Sequence, residues 1–196
     1  MPIRPDVRSR AVRRSPNLAA AGCVSVVAAL LHPSPAVAQT PLRPPHIRPE
    51  DRDGRRFVEE AVGASPTVRD LIERLQQSDV YVYLRFRAFS EIGLDGRLRF
   101  LSAAAGSRFV VIELACIRPR FDQIATFGHE LHHALEIAAA PAVVSVATLA
   151  AYYQRIGTET IGAAGTRTFE TRSARVTANI VRKEVFAAPE RRTDGQ

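Results

Sequence analysis

The hexapeptide Gly128-His129-Glu130-Leu131-His132-His133 puts the tightest constraint on how this chain folds. It holds three of the five histidines in a chain of 196 residues. His129 and His133 are four positions apart. On an α-helix they lie about 40° apart around the axis, one turn above each other, so both can turn a ring nitrogen to one metal ion. Such a helix needs an apolar stripe on one side and a polar edge kept off the core. The neighbouring residues supply both: Ile124, Phe127, Leu131, Leu135 and Ala138 recur at helical spacing, while His129, Glu130 and His133 fall away from that stripe. The helix is expected to begin after Pro119 and to stop at Pro141.

His-Glu-x-x-His on a helix is a zinc-binding pattern, with two imidazoles as ligands and the intervening glutamate as general base. His129 and His133 are therefore expected to bind Zn²⁺ and Glu130 to be the base. Catalytic zinc usually takes three protein ligands. No histidine follows His133, so the third ligand is expected to be a carboxylate. Downstream stand Glu136, Glu159, Glu170, Glu184, Glu190 and Asp194. A last helix is expected from about residue 168 to 187, with Arg172, Arg175, Asn179, Arg182 and Lys183 on one side. Glu170 falls on the opposite side, in line with Ala174, Thr177, Val181 and Val185, where an unpaired carboxylate would be costly to bury. Glu170 is the expected third ligand, against the alternative of a surface ion pair with a neighbouring arginine. Glu184 lies near the helix end and Glu159 in a glycine-containing connection. Glu136, one turn beyond His133, is placed to orient an imidazole.

Ahead of the motif helix the period of the sequence changes. Residues 55–62 suggest a short helix, and Ser65-Pro66 reads as an N-cap with proline in the first helical position, opening a helix to about Ser78. From Val80 to Phe89 apolar and polar residues alternate, as do those from Arg97 to Ser102, and Phe109 to Cys116 is nearly all apolar. Turn signals at Gly93-Leu94-Asp95-Gly96 and Gly106-Ser107 suggest three strands in an antiparallel meander, with the third deepest. Cys116 reads as a small buried hydrophobe. Ser145 is expected to cap a helix through Leu149, Tyr152 and Tyr153 that stops at Gly157, and residues 158–168 to form a flexible connection.

The N-terminus carries the marks of a secretory signal peptide: arginines to Arg14, an apolar run from Leu18 to Leu31, and Ala36-Val37-Ala38 before Gln39. Residues 1–38 are expected to be removed on export, placing the protein in the periplasm or outside the cell. The apolar run is too short to span a bilayer, so no membrane span is expected in the mature chain. Residues 39–54 carry Pro41, Pro44, Pro45 and Pro49 and read as a linker without a core, with His46 in solvent. A folded domain over 55–189 and a polar tail over 190–196 complete the division. The net charge of +7 falls when the leader is set aside: five of the 27 basic residues and one of the 20 acidic ones lie before residue 38, leaving 22 against 19. The rest are scattered along the chain, which argues against nucleic acid as a partner.

His129-Glu130-x-x-His133 with a later Glu170 resembles the gluzincin group of zinc metallopeptidases, and the order helix, three-strand sheet, motif helix, ligand helix resembles a minimal zincin core. The resemblance covers roughly residues 66–187. It implies a small α+β zincin-like domain whose three-stranded antiparallel sheet precedes the active-site helix and a C-terminal helix bearing the ligand. It also implies Zn²⁺ as cofactor, hydrolysis of a peptide or protein substrate lying along an edge strand, His129, His133 and Glu170 as metal ligands, and Glu130 as catalytic base. The chain departs from relatives in the long spacing of 36 residues between His133 and Glu170, and in having Ala174 where an acid often supports a zinc histidine. A non-catalytic zincin-like module of the cell envelope, binding metal or a partner, is the alternative these departures favour.

Overall fold

The computed structural model describes residues 45–91, 93–161 and 167–188. The expected signal peptide and C-terminal tail lie outside these residues. The described chain runs β1 (Ile47–Pro49), α1 (Arg52–Ala64), α2 (Pro66–Gln76), β2 (Val80–Arg87), β3 (Gly96–Ala104), β4 (Ser107–Ala115), α3 (Arg120–Ala138), α4 (Val146–Ile156), β5 (Thr158–Ile161), β6 (Arg167–Glu170) and α5 (Arg172–Ala187). The class is α+β as expected.

Local capping and turn residues act at the positions the sequence marks. The Ser65 hydroxyl accepts from Val68 N at 3.0 Å and Pro66 opens α2. Ser145 and Thr148 form a capping box at the start of α4, and Gly157 ends that helix. The β3–β4 turn consists of Ala105 and Gly106, both at positive φ (49° and 74°), the twist a two-residue hairpin requires.

The sheet itself corrects the expected meander. Its order is β1-β2-β4-β3, with β2 parallel to both β1 and β4 and only β3–β4 antiparallel. β4 lies between β2 and β3, and nearly all of it is buried. The physical reason is in β4 itself: a strand apolar on both faces loses least when it has a neighbour on each side. β3, carrying Arg97, Arg99, Ser102 and a bulge between Phe100 and Ser102, takes the edge.

A second correction concerns the proline-rich stretch. Residues 47–49 form an edge strand paired to β2, and His46 is 1% exposed. Its Nδ1 lies 2.9 Å from Val80 O and its ring stacks on Tyr81 at 4.1 Å. A third concerns Cys116, which is exposed at the strand end rather than buried. A fourth concerns residues 158–168, whose described ends pair as the antiparallel strands β5 and β6.

One face of the sheet, built from Val80, Val82, Leu84, Phe100, Val110, Ile112 and Leu114, meets Phe57, Val68, Leu71, Leu75, Ile124, Phe127, Leu131 and Ile137 of the helices. On the other face Arg85, Arg87, Arg97 and Arg99, scattered in sequence, gather around the buried Glu113 carboxylate at 2.7–4.0 Å. Burial works against the charge of Glu113, and Arg97 with its neighbours more than offsets this, holding the carboxyl below its ordinary value. No helix among the described residues is long and apolar enough to cross a membrane.

Arg108, 4% exposed, holds the end of α3 in place. It pairs with both Asp79 oxygens (2.6 and 2.8 Å) and donates to the carbonyls of Ile137 (2.6 Å) and Ala140 (2.7 Å). Ile137 O also accepts from Ala140 N at 3.0 Å and Ala140 O from Val143 N at 2.9 Å, so Arg108 adds a charged donor to carbonyls where the regular helix bonding ends. The Arg108 hydrogen bond holds the Asp79 carboxyl below its ordinary value of 3.8. A carboxylate with a depressed folded pKa adds stability above its unfolded pKa and loses it as pH falls through the folded value. The urea midpoint should therefore drop more steeply below about pH 4 in the wild type than in Asp79→Asn, while the variant should be the less stable of the two at pH 7.

Candidate metal centre

The centre forms where α3, α4 and the β6–α5 junction meet. α3 and α5 approach closely at Gly128: a Cβ there would stand 2.7 Å from Cγ2 of Val181. With glycine at that point, the histidine edge of α3 turns toward the start of α5. Val181, Thr177 and Ala174 form the buried side of α5, as its apolar spacing suggests.

His129 Nε2 faces His133 Nε2 at 3.1 Å and Glu170 Oε2 at 3.2 Å. One ligand atom from each of the three residues lies within 4.8 Å of the others. Two ligands about 2.0–2.1 Å from a tetrahedral ion stand about 3.3 Å apart, so these separations suit a shared metal. Two imidazoles and a carboxylate are also the right donor chemistry. The group could hold a metal ion.

The expected third donor, Glu170, stands in this group but on a different element from the one expected. Glu170 ends β6, immediately before the α5 N-cap Thr171, and its backbone pairs with Thr158 of β5. It reaches the histidines because the antiparallel pairing carries it back beside α4. The long spacing between His133 and Glu170 is taken up by α4 and this hairpin. Of the competing acids, Glu184 is engaged elsewhere. It accepts from the Ser65 hydroxyl, and from Thr67 N (3.2 Å) and Thr67 Oγ1 (2.7 Å), at the start of α2.

Burial lifts the Glu130 carboxyl above its ordinary value against the opposing pull of His133 and His129, and a hydrogen bond ties it to the backbone of Leu98 in edge strand β3. Burial disfavours charge on His129 too. There the Glu170 hydrogen bond and the nearby Glu130 prevail and raise its pKa, with a further hydrogen bond to the Ala174 backbone. His132, the third histidine of the motif, turns to Thr177 Oγ1 at 2.9 Å. Burial holds its pKa below the ordinary value.

Glu136 lies beside the metal group. Its Oε2 is 2.7 Å from His133 Nδ1 and accepts from the Tyr153 hydroxyl at 3.1 Å, while Oε1 accepts from Thr171 Oγ1 at 2.7 Å. Burial works against its charge, and the His133 and Thr171 hydrogen bonds overcome this and keep its pKa below the ordinary value. Tyr153 is buried, and burial together with Glu136 pushes its phenol pKa upward. Tyr152 donates to Glu136 O at 3.2 Å. The Tyr153 hydroxyl also stands 3.1 Å from His133 Nδ1 and 3.3 Å from His133 O, so both phenols are engaged around Glu136 and His133. The Thr171 and Tyr153 contacts could not be read from sequence, since they join residues 35 and 17 positions away from Glu136, respectively.

Comparison with known proteins finds no match: no family model, no curated protein and no solved structure corresponds to the chain.

Glu170→Ala and Glu184→Ala separate the two acids' roles. Titrated with a divalent transition metal, Glu170→Ala should lose at least tenfold in affinity with little change in the stability of the metal-free protein. Glu184→Ala should keep the metal stoichiometry and lose about 1 kcal/mol of stability in urea unfolding, through the α2 cap.

Proposed function

We propose that the protein is an exported zinc-dependent metallopeptidase, with His129, His133 and Glu170 as zinc ligands and Glu130 as general base. The observation that carries this reading is the convergence of the three donor atoms within 4.8 Å with a buried carboxylate beside them. Imidazole and carboxylate donors would also accept ferrous iron. The buried Glu130 favours zinc, because hydrolysis needs a base at the metal and oxygen chemistry does not.

A zinc ion held by these residues supplies Lewis acidity toward a carbonyl and toward water. The rest falls to the chain's own groups. Glu130, with a pKa raised by burial, is suited to take a proton from the attacking water and return it to the departing amine. Glu170, partly exposed, brings a negative charge that offsets the cation. Among the described residues no strand pairs with the other side of β3, and the Leu98 backbone in that same strand bears on Glu130. An extended peptide adding to that edge would bring its backbone carbonyls to the base. This supports a peptide rather than a compact small molecule as substrate.

Purified mature protein loaded with zinc should cleave an unfolded protein such as reduced casein, and a chelator should stop cleavage until zinc is restored. Glu130→Gln should retain one zinc per chain and lose about 10²–10⁴-fold in cleavage rate. Zinc binding without cleavage by the wild type would instead favour the non-catalytic envelope module.

A further inference from the structure

We infer that Glu136 is a positioning residue that sets the metal affinity of the centre by locking two ligands at once, His133 through its ring and Glu170 through the next residue in the chain. The inference rests on the metal-site reading above and adds to it a residue that never touches the metal.

The two oxygens of the carboxylate have different tasks. Oε2 meets His133 Nδ1 at 2.7 Å. A proton on Nδ1 shared with that oxygen leaves the Nε2 lone pair turned toward His129 and Glu170, the tautomer a metal ligand needs. Oε1 accepts from the Thr171 hydroxyl at 2.7 Å, and that hydroxyl in turn accepts from Ala174 N at 3.1 Å. Thr171 follows Glu170 directly, so this pair of bonds fixes where β6 ends and α5 begins, and hence where the Glu170 side chain starts. The Tyr153 hydroxyl completes the set by donating to Oε2 at 3.1 Å, and its ring packs edge-on against His133. One carboxylate on α3 thus joins α4, β6 and α5 around the ligands.

The geometry is too specific for a general surface acid. Glu136 is partly buried, its side chain 14% exposed, and both of its oxygens are occupied by donors from residues that are ligands or adjoin them. His132 Nε2 stands farther off, at 3.8 Å from Oε1. That leaves His133 and Thr171 as its short contacts, with Tyr153 at a slightly longer range.

The test uses the full mature chain, with zinc titrated in competition with a chelator and Co²⁺ as a spectroscopic probe of ligand geometry. Glu136→Ala should weaken zinc binding about 10–100-fold and shift the visible bands of the Co²⁺ form. Glu136→Gln keeps an acceptor for Nδ1 while losing the charge, and should weaken binding about three- to tenfold with the metal-free unfolding midpoint little changed. Thr171→Val should also weaken binding, and Thr171→Ser, which keeps both hydrogen bonds, should restore it to within about twofold. Wild-type zinc affinity and Co²⁺ bands in Glu136→Gln would overturn the inference even if Glu136→Ala fails to fold. If the wild type binds zinc through His129 and His133 while the Glu136 and Thr171 variants bind equally well, this inference alone fails. If the wild type binds no zinc, the metal reading and this inference fall together.

Discussion

The structure depends on the close approach of α3 and α5 at Gly128. Any side chain there would force Val181 or the helices to shift, since even a single methyl would come within 2.7 Å of Val181 Cγ2. The approach brings Ala174 and the β6–α5 junction beside the histidine edge of α3. Without it, His129 and His133 would be two imidazoles on a half-exposed helix face, and Glu170 an acid at the end of a small hairpin. The tight packing of apolar residues in the rest of α3 allows this, because a helix held by Ile124, Phe127, Leu131 and Ile137 against the sheet cannot roll away from α5.

The buried charges follow one rule. Each is placed where fixed partners surround it, so that the cost of leaving water is offset on the spot. Glu113 sits among four arginines, and Arg108 between Asp79 and the carbonyls at the end of α3. Glu136 lies among an imidazole and two hydroxyls. Glu130 is the exception. It has a backbone hydrogen bond and two imidazoles nearby, yet its pKa still moves toward the neutral form. An acid left under-compensated beside donors that could hold a metal ion is the environment on which the general-base proposal for Glu130 rests.

The ligand elements differ in how firmly they are held. α3 is clamped at its start by Gln123, whose amide donates to Ala115 O at 2.9 Å, and at its end by Arg108. β6 belongs to a two-stranded sheet separate from the main one and, among the described residues, pairs with β5 alone. Two of the donors that could hold a metal therefore come from a helix clamped at both ends and the third from a small hairpin. The contacts of Thr171 and Gly157 tie that hairpin back: a Cβ on Gly157 would lie 2.9 Å from Tyr153 O and 3.2 Å from Glu170 O.

The sequence by itself determined what is local. Spacing alone put His129 and His133 on one helix edge, gave Ser65 and Ser145 as caps, and gave β4 as the strand most deeply buried, because helical faces, caps and alternation are set by residues a few positions apart. Helical phase placed Ala174, Thr177 and Val181 on the buried side of α5, where they lie, but it did not place Glu170, which stands on β6 and not on that helix. Only the tertiary structure decided that Glu170 ends a strand rather than sitting in a helix, and that β4 inserts between β2 and β3. It also decided that His46 and Ile47 join the sheet, that scattered arginines converge on Glu113, and that Glu136 holds Tyr153 and Thr171. All of these are pairings between segments distant in the chain. Their partners are chosen by which surfaces are left to cover once the local elements exist, and no local spacing records that choice.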